Sequence, residues 1–471
     1  MCKLEHYGNC DPETKDQEYC IFHKPNKTKE EAKKFWRKFL EKFCPKTKPK
    51  DEVKLDRKFT TDIEFFIFDN VVEIIKKVKY FIFDNKINCR GFRFPDFEFP
   101  LERAIFKESV DFSEAVFEGD AKFNKVIFKM EARFVGAIFG NAEFRETCFE
   151  NVADFSNAKF ECADFTYAKF KGEDNRFDGA VFGRAYFGEA EFENFAWFIG
   201  TKFGYALFNF AKFGKYANFS MVRFMDNAEF QYSTFRGLAE FIGTEFRGNV
   251  TFEGAEFLGE VSFKHDSKRV YAKFLGRLSF LNANFRKGIS IDLPKECFRL
   301  PQAEAEACRV QRIWYEKEGN KDKADEMFVR ERQALRRAKV RQAKEQLDES
   351  KGIKSKLKAI WNLFKAYASA SIEYLLADLT CKYGTNWKRP VVIWIFTVLM
   401  LFPLLYLLTK SVPNAYDFLS CLYFSIVTAT TLGYGDLHSI GVGRALASAE
   451  AIFGTFMWAV FLAVFARKYM R

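Results

Sequence analysis

The sequence predicts a multidomain membrane protein, in which a right-handed, four-sided (quadrilateral) parallel β-helix and an α-helical linker precede an all-α membrane domain. Three observations support this fold class. Phenylalanine returns at intervals of mostly five or six residues through most of the N-terminal half, two long segments near the C-terminus are almost free of charge, and amphipathic helical patterns lie between them. The chain has 471 residues and 60 phenylalanines, several times the ordinary usage of that residue. Its length suggests about three domains.

Residues 1–24 form the first predicted domain, because they contain a set of residues with the spacing of zinc ligands. Cys2 and Cys10 form one chelating arm and Cys20 and His23 a second, and together they can enclose a tetrahedral ion. His6 is the alternate ligand. So short a segment cannot fold on its own core, and a metal would supply the missing stability. The alternative is a disordered tail with incidental thiols.

Residues 25–50 are predicted to contain an amphipathic helix. Thr28 and Glu31 match a capping box at its start. The apolar residues at helical spacing are Phe35, Trp36, Phe39, Leu40 and Phe43. Lysines on the other face indicate either attachment to a membrane surface or, more commonly, a solvated face on a helix that packs against the neighbouring domain.

Residues 51–105 are predicted to form a β-rich cap, because aromatic runs such as Phe65–Phe68 replace the helical spacing. Residues 106–288 then form an internal repeat, in which a small residue often lies two positions before a phenylalanine, as Ala121 does before Phe123. Neither a helix nor an ordinary strand has a period of five, whereas a four-sided solenoid with one pentapeptide per side does. The pattern resembles the pentapeptide-repeat family, with phenylalanine at the central position where leucine is usual.

The repeat has consequences for function. Intervals of six imply an extra residue at alternate corners, coils of roughly 22 residues and about eight coils. Stacked phenylalanines would fill the interior and leave no ligand pocket there. Some pentapeptide-repeat proteins mimic DNA through acidic faces, but basic residues alternate with acidic ones here, and no nucleic-acid partner is expected. A rigid spacer or an oligomerisation arm is the expected role.

Two helical segments link the repeat to the membrane domain. Residues 289–350 are predicted as a helical hairpin that breaks at Gly319 and Asn320 and that can cover an open end of the solenoid. Residues 351–388 are predicted as an amphipathic helix, which either lies along the inner membrane surface or bundles with its symmetry mates in an oligomer.

Residues 389–471 are predicted to form the membrane domain. Val391–Leu408 carries no charge and is long enough to cross a hydrocarbon core, and Leu446–Ala466 carries only Glu450. Between them, the apolar segment 416–430 predicts a short re-entrant helix. Lysines and arginines flank both spans on the side away from their connection, so both termini are expected in the cytoplasm. The alternative is two buried helices of a soluble domain.

The nine residues 428–436 read Thr-Ala-Thr-Thr-Leu-Gly-Tyr-Gly-Asp and resemble the selectivity filter of two-transmembrane potassium channels, with leucine in place of valine. Glycine takes left-handed backbone angles at little cost, and alternating angles let successive carbonyls point the same way. The resemblance implies a homotetramer in the lipid bilayer of the cell (inner) membrane, with potassium ions in the filter. The residues that would bind them are Thr431, Leu432, Gly433, Tyr434 and Gly435.

The same resemblance implies a hinge glycine and an intracellular gate in the second span. Gly454 lies where such a hinge is found, although close helix packing explains a glycine there equally well. The bulky residues expected to form a constriction that closes by dewetting are Trp458, Phe461, Leu462 and Phe465. Glu450 is expected either to pair near the outer mouth or to take part in packing.

The sequence therefore predicts a tetrameric potassium-selective channel, whose cytoplasmic N-terminal module regulates gating or mediates assembly through an unidentified ligand or protein partner. The alternative is a membrane-anchored scaffold that uses the solenoid for interactions. Enzymatic activity is not expected, because no arrangement of nucleophile, base and oxyanion donors is recognisable. Potassium in the filter and zinc in the N-terminal head are the only cofactors expected.

Overall fold

The computed structural model describes residues 1–43, 46–49, 78–96 and 101–469. The chain divides into two compact units, Met1–Glu318 and Gly319–Arg471. The first unit contains the β-helix with a short N-terminal segment and two capping helices, and the second unit is α-helical.

The β-helix has four faces of parallel strands, as predicted. The first face contains Val78–Phe83, Ile105–Phe106, Ile127–Phe128, Cys148–Phe149, Lys169–Phe170, Glu191–Phe192, Lys212–Phe213, Thr234–Phe235, Glu256–Phe257 and Asn284–Phe285, with Lys46–Pro49 antiparallel at its edge. The second contains Ile87–Asn88, Val110–Asp111, Ala132–Arg133, Ala153–Asp154, Asp174–Arg176, Phe195–Trp197, Tyr216–Asn218, Leu238–Glu240, Glu260–Ser262 and Gly288–Ser290.

The third and fourth faces join around one corner. Strands that run across this corner are Ile138–Glu143, Lys159–Asp164, Val181–Tyr186 and Lys202–Leu207. Strands on the third face alone are Arg93–Phe94, Val116–Phe117, Arg223–Phe224, Glu245–Phe246 and Lys273–Phe274, and those on the fourth alone are Ala121–Lys122, Ala228–Glu229, Val250–Thr251 and Leu278–Ser279.

The register shows where the coils begin and how long they are. Phe106 aligns with Phe128 and Phe128 with Phe149, so a coil takes 22 or 21 residues. Phe83 already aligns with Phe106, so the ladder begins before residue 106, within the segment expected to be only a cap. The aromatic run expected at Phe65–Phe68 lies outside the described residues.

One coil near the C-terminal end is longer than the others. Phe257 aligns with Phe285, a separation of 28 residues. An antiparallel hairpin, Lys264–His265 with Val270–Tyr271, is inserted in this coil and accounts for the added length.

Phenylalanine side chains fill the interior in two recurring geometries. The ring of Phe134 stacks on that of Phe155 one coil later, with centroids 4.7 Å apart and an interplanar angle of 1°. Across the core, Phe134 meets Phe144 edge to face at 85°. Aromatic pairs favour both arrangements. The small residue two positions earlier, such as Ala142, is buried beside them.

Alternate corners of the coil differ in length, as predicted. Between Phe112 and Phe117 the corner is a hydrogen-bonded turn, in which the Ala115 amide donates to the Phe112 carbonyl (3.1 Å) and Glu114 has φ 60°. The following corner, from Phe117 to Phe123, takes six residues. The extra residue therefore falls at a corner between two such turns.

Helices cover both ends of the β-helix. At the N-terminal end, α1 (Lys29–Phe43) packs Phe35 against Phe94, with ring centroids 5.4 Å apart. Its predicted capping box is present, because the Glu31 amide donates to the Thr28 hydroxyl (3.3 Å) and the Thr28 amide donates to the Glu31 carboxylate (3.0 Å). The packed interpretation of this helix is therefore correct.

At the C-terminal end, α2 (Pro301–Lys317) follows the 3₁₀ turn Lys295–Cys297. The Glu306 carboxylate accepts from the Phe280 amide (3.0 Å), and the Gln311 side chain accepts from the Ile291 amide (2.7 Å). These side chains satisfy edge amides that a further coil would otherwise bond.

The second unit begins with α3 (Lys321–Glu349) and α4 (Ile353–Glu373), and a π-helical turn, Tyr374–Leu379, continues α4. The remaining described helices are α5 (Lys388–Thr409, with a π-helical segment at Thr397–Leu401), α6 (Phe418–Ala429) and α7 (Val442–Tyr469). Of the described helices, α5 and α7 are long and apolar enough to cross a membrane.

Candidate ion pathway and metal cluster

The short helix α6 lies between the two long apolar helices and aims its C-terminal end at the predicted filter. Asp417 caps its start, where the Ser420 amide donates to the carboxylate (3.0 Å). Its apolar side packs on α5, as the 5.0 Å contact between the rings of Phe424 and Tyr406 illustrates. The partial negative charge of its last carbonyls is therefore directed at the residues that follow Ala429.

The filter segment has an alternating backbone. Thr431, Gly433 and Gly435 have φ of 56°, 60° and 78°, whereas Leu432 and Tyr434 between them do not have positive φ. In the single chain, the Leu432 and Tyr434 side chains are 58% and 67% exposed. The chain thus holds the backbone alternation by itself and leaves the side chains of these two residues uncovered.

Gly454 touches the end of α6. A Cβ atom at this position would lie 2.2 Å from the Ala429 carbonyl oxygen, so only glycine permits this approach. The geometry supports the packing interpretation of Gly454, and a hinge there stays a prediction.

The four predicted gate residues are not equivalent in the structure. Phe461 and Phe465 pack on Trp387, with ring centroids 6.2 and 5.9 Å apart, and therefore face the outer helix. Trp458 lies beside Trp394 at one wall of a cavity of about 300 Å³ between α5 and α7. Leu462 has the most exposed side chain of the four. The gate assignment of these four residues stays a prediction.

The C-terminal end of α7 is bound by residues that no sequence motif marks as its partners. The Arg467 guanidinium lies 3.8 Å from the Asp325 carboxylate of α3, stacks over the Phe328 ring at 5.0 Å and donates to the Tyr383 carbonyl (3.0 Å). The next residue, Lys468, is 3.5 Å from Asp322. The first two turns of α3 therefore bind the last turn of α7.

The middle of α3 is attached to the π-helical turn that continues α4 and to Tyr383, which lies between that turn and α5. Arg336 forms an ion pair with the buried Asp378 (2.9 Å) and donates to the Tyr383 hydroxyl (2.8 Å). Gln333 donates to the same carboxylate (3.1 Å). A displacement of α3 would therefore act directly on α7 and, through the segment before it, on α5.

A second candidate site lies in the first unit, where the structure brings together Cys2, Cys10, Cys20 and His23. Their ligand atoms all lie within 4.8 Å of one another. His23 Nδ1 is 3.0 Å from the Cys20 sulfur and 3.6 Å from the sulfurs of Cys2 and Cys10. Tetrahedral zinc would hold nitrogen and sulfur ligands about 3.6 Å apart. His6 is not in this cluster.

The chemistry of these donors also fits a cation. Burial lowers the pKa of His23 to about 4, so the imidazole is neutral, which is the form that binds metals. Burial and the neighbouring Cys20 raise the pKa of the Cys10 thiol. Three crowded thiolates would repel one another without a cation between them.

The cluster is held on the first coil of the β-helix. The Arg93 amide donates to the Phe22 carbonyl (2.9 Å), the Phe22 ring stacks on Phe92 at 4.6 Å, and the Asn9 side chain donates to the Arg90 carbonyl (2.9 Å). A metal here would therefore join the N-terminal segment to the end of the β-helix.

Two family models match the chain. A model described as an ion channel matches residues 383–471, and a model described as pentapeptide repeats matches residues 101–147 and 222–265. Both predicted resemblances are thereby confirmed at the level of the domain. No curated protein and no solved structure matches the chain.

Proposed function

From a chain that joins a pentapeptide-repeat β-helix to an ion-channel domain, we propose a homotetrameric, potassium-selective channel of the cell (inner) membrane. The observation that supports it most is the alternation of positive φ at Thr431, Gly433 and Gly435, directly after the C-terminal end of α6. This backbone lets neighbouring carbonyls face one axis. Four copies would supply rings of oxygen that replace the hydration shell of potassium.

The exposed filter side chains support an oligomer. Leu432 and Tyr434 have little to pack against in one chain, and neighbouring subunits around a shared axis would cover them. The basic residues at the ends of the spans, Lys388 and Arg389 on α5 and Arg467 and Lys468 on α7, support cytoplasmic termini.

Regulation by the N-terminal module has a physical route in α3. Two residues separate this helix from the end of the first unit, and its first two turns bind Arg467 and Lys468 at the end of α7. The ion pair of Arg336 with Asp378 links α3 to the segment before the first span. The contacts add a direct route to the inner helix, whose cytoplasmic end carries the predicted gate.

Zinc in the N-terminal head is part of the same proposal. Cys2, Cys10, Cys20 and His23 provide four protein ligands and leave no open position, as in structural zinc sites. The ion would stabilise the end of the β-helix and would have no catalytic role. Metal analysis after purification under reducing conditions tests this assignment. Zinc well below one ion per chain would contradict it.

Flux measurements on the purified full chain in liposomes test the main proposal. We expect potassium flux well above sodium flux, because rings of filter carbonyls would replace the hydration shell of potassium. Equal fluxes would contradict selectivity. No flux of either ion would instead favour the membrane-anchored scaffold that uses its β-helix for interactions.

A further inference from the structure

Glu450 is an acidic residue buried inside the second unit, with 0% of its surface exposed. It lies on α7 and contacts both other helices of the membrane domain. The Tyr406 hydroxyl of α5 donates to one of its oxygens (2.7 Å), and the Ser425 hydroxyl of α6 contacts the other. Among the described residues, no basic side chain forms an ion pair with it.

The hydrogen atoms available for the contacts around Glu450 can be counted. The Ser425 hydroxyl contacts a second acceptor, the Val398 carbonyl, at 2.7 Å. Three contacts between oxygens therefore require three hydrogens, one each for Tyr406 with Glu450, Glu450 with Ser425, and Ser425 with Val398. Tyr406 and Ser425 supply one hydrogen each, and a carbonyl supplies none. The third hydrogen must come from the carboxyl group.

We propose that Glu450 is a neutral carboxylic acid that positions α6, and through it the filter, against α5 and α7. Its O–H donates to Ser425, Ser425 donates to Val398, and Tyr406 donates to the carbonyl oxygen of the acid. Every hydrogen then has an acceptor, and no unpaired charge is buried. This inference rests on the proposed function, because the filter it positions is that of the proposed channel.

The hydrogen-bonded group of Glu450, Tyr406 and Ser425 lies close to the end of α6, which the predicted filter follows. Ser425 is one helical turn before Ala429, where α6 ends, and Gly454 is one turn after Glu450 and approaches the Ala429 carbonyl. The inner helix thus holds the end of α6 at two successive turns. A shift of α6 would move the carbonyls that follow it, and ion discrimination depends on their spacing.

The test combines flux with infrared spectroscopy on the full chain in liposomes. Glu450→Ala should lower the ratio of potassium to sodium flux by about tenfold, since it removes two hydrogen bonds and leaves Tyr406 without an acceptor. Glu450→Gln should keep the wild-type ratio, because an amide donates to Ser425 and accepts from Tyr406 in the same way. The wild-type spectrum should contain a C=O stretch of a protonated carboxyl that Glu450→Gln removes.

Three results would overturn the inference: Glu450→Gln as harmful as Glu450→Ala, a normal ratio in Glu450→Ala, or no loss of a protonated-carboxyl band in Glu450→Gln. If Glu450→Ala does not assemble, Ser425→Ala replaces it and should also lower the ratio. Ser448→Ala, at an exposed serine on the helix that carries Glu450, should not. Absence of potassium flux in the wild type would contradict the proposed function instead, and the infrared band would still report the protonation of Glu450.

Discussion

The β-helix buries its aromatic side chains within one chain, whereas the second unit leaves many of its large apolar side chains exposed. Phe155 lies fully buried between Phe134 and Phe177, and helices cover both ends of the stack. Tyr434 in the filter and Leu462 on the inner helix have no comparable cover. The first unit therefore buries its core within a single chain, whereas under the proposed function a bilayer and further copies would cover the exposed apolar side chains of the second unit.

The difference also shows where glycine is required. In the second unit, glycine takes positive φ at Gly433 and Gly435, two positions of the predicted filter. In the β-helix, the turn corners accept bulky residues at positive φ, such as Phe210 with φ 59° and Tyr232 with φ 55°. The regular ladder on both sides of each corner provides enough stability to hold these side chains in an unfavourable conformation.

The largest expected effect follows from replacing a filter glycine. Gly433→Ala adds a Cβ at φ 60° and costs about 1–2 kcal/mol per chain, so four copies should reduce potassium flux by about a thousandfold or more. Gly441→Ala is the matched control, because Gly441 also has positive φ (54°) and open space around it but lies outside the filter. Liposome flux measures both, and equal losses would contradict the filter assignment.

The next largest effect tests whether the buried phenylalanine stack is the main source of stability in the β-helix. Phe155→Ala removes a fully buried ring and should lower the free energy of unfolding by about 3–5 kcal/mol. Phe210→Ala removes an exposed ring that stacks only on Tyr232 at a corner and should cost about 1 kcal/mol or less. Denaturant unfolding followed by circular dichroism distinguishes them. Similar costs would show that the stack is not the main source of stability.

Removing one ligand of the candidate metal cluster should have a smaller effect, limited to one end of the β-helix. Cys20→Ser should reduce bound zinc from about one ion per chain to near none and make α1 sensitive to proteolysis, because the cluster secures the N-terminal segment. Cys148→Ser, at a thiol outside the cluster, should keep the zinc. Retention of full zinc in Cys20→Ser would show that the ion is bound elsewhere.

The parts that the sequence predicted are those in which side-chain spacing encodes the structure directly. A phenylalanine every five residues specifies a four-sided coil, and the paired spacing of Cys2 with Cys10 and of Cys20 with His23 suits four ligands around one ion. The alternation at Gly433 and Gly435 follows from a local motif. Each of these depends on residues close together in the chain.

The parts that it missed depend on contacts between residues far apart. Tyr406 and Glu450 are 44 residues apart, and no local pattern marks them as partners. The same holds for Asp325 and Arg467, which meet only because α3 folds back to the end of α7. The packing of Phe461 and Phe465 against Trp387 is another contact between residues far apart in the chain, and their role in a gate stays a prediction.

The smallest expected effect tests whether α3 restrains the inner helix. Asp325→Asn removes a partly exposed ion pair worth about 0.5–1 kcal/mol, so we expect the open probability to rise by about two- to fivefold in single-channel recordings. The direction follows because the pair restrains the end of α7, which must move for the path to widen. Asp348→Asn, an exposed acid at the far end of the same helix, should leave gating unchanged. An unchanged open probability in Asp325→Asn would mean that α3 holds the inner helix without restraining its movement.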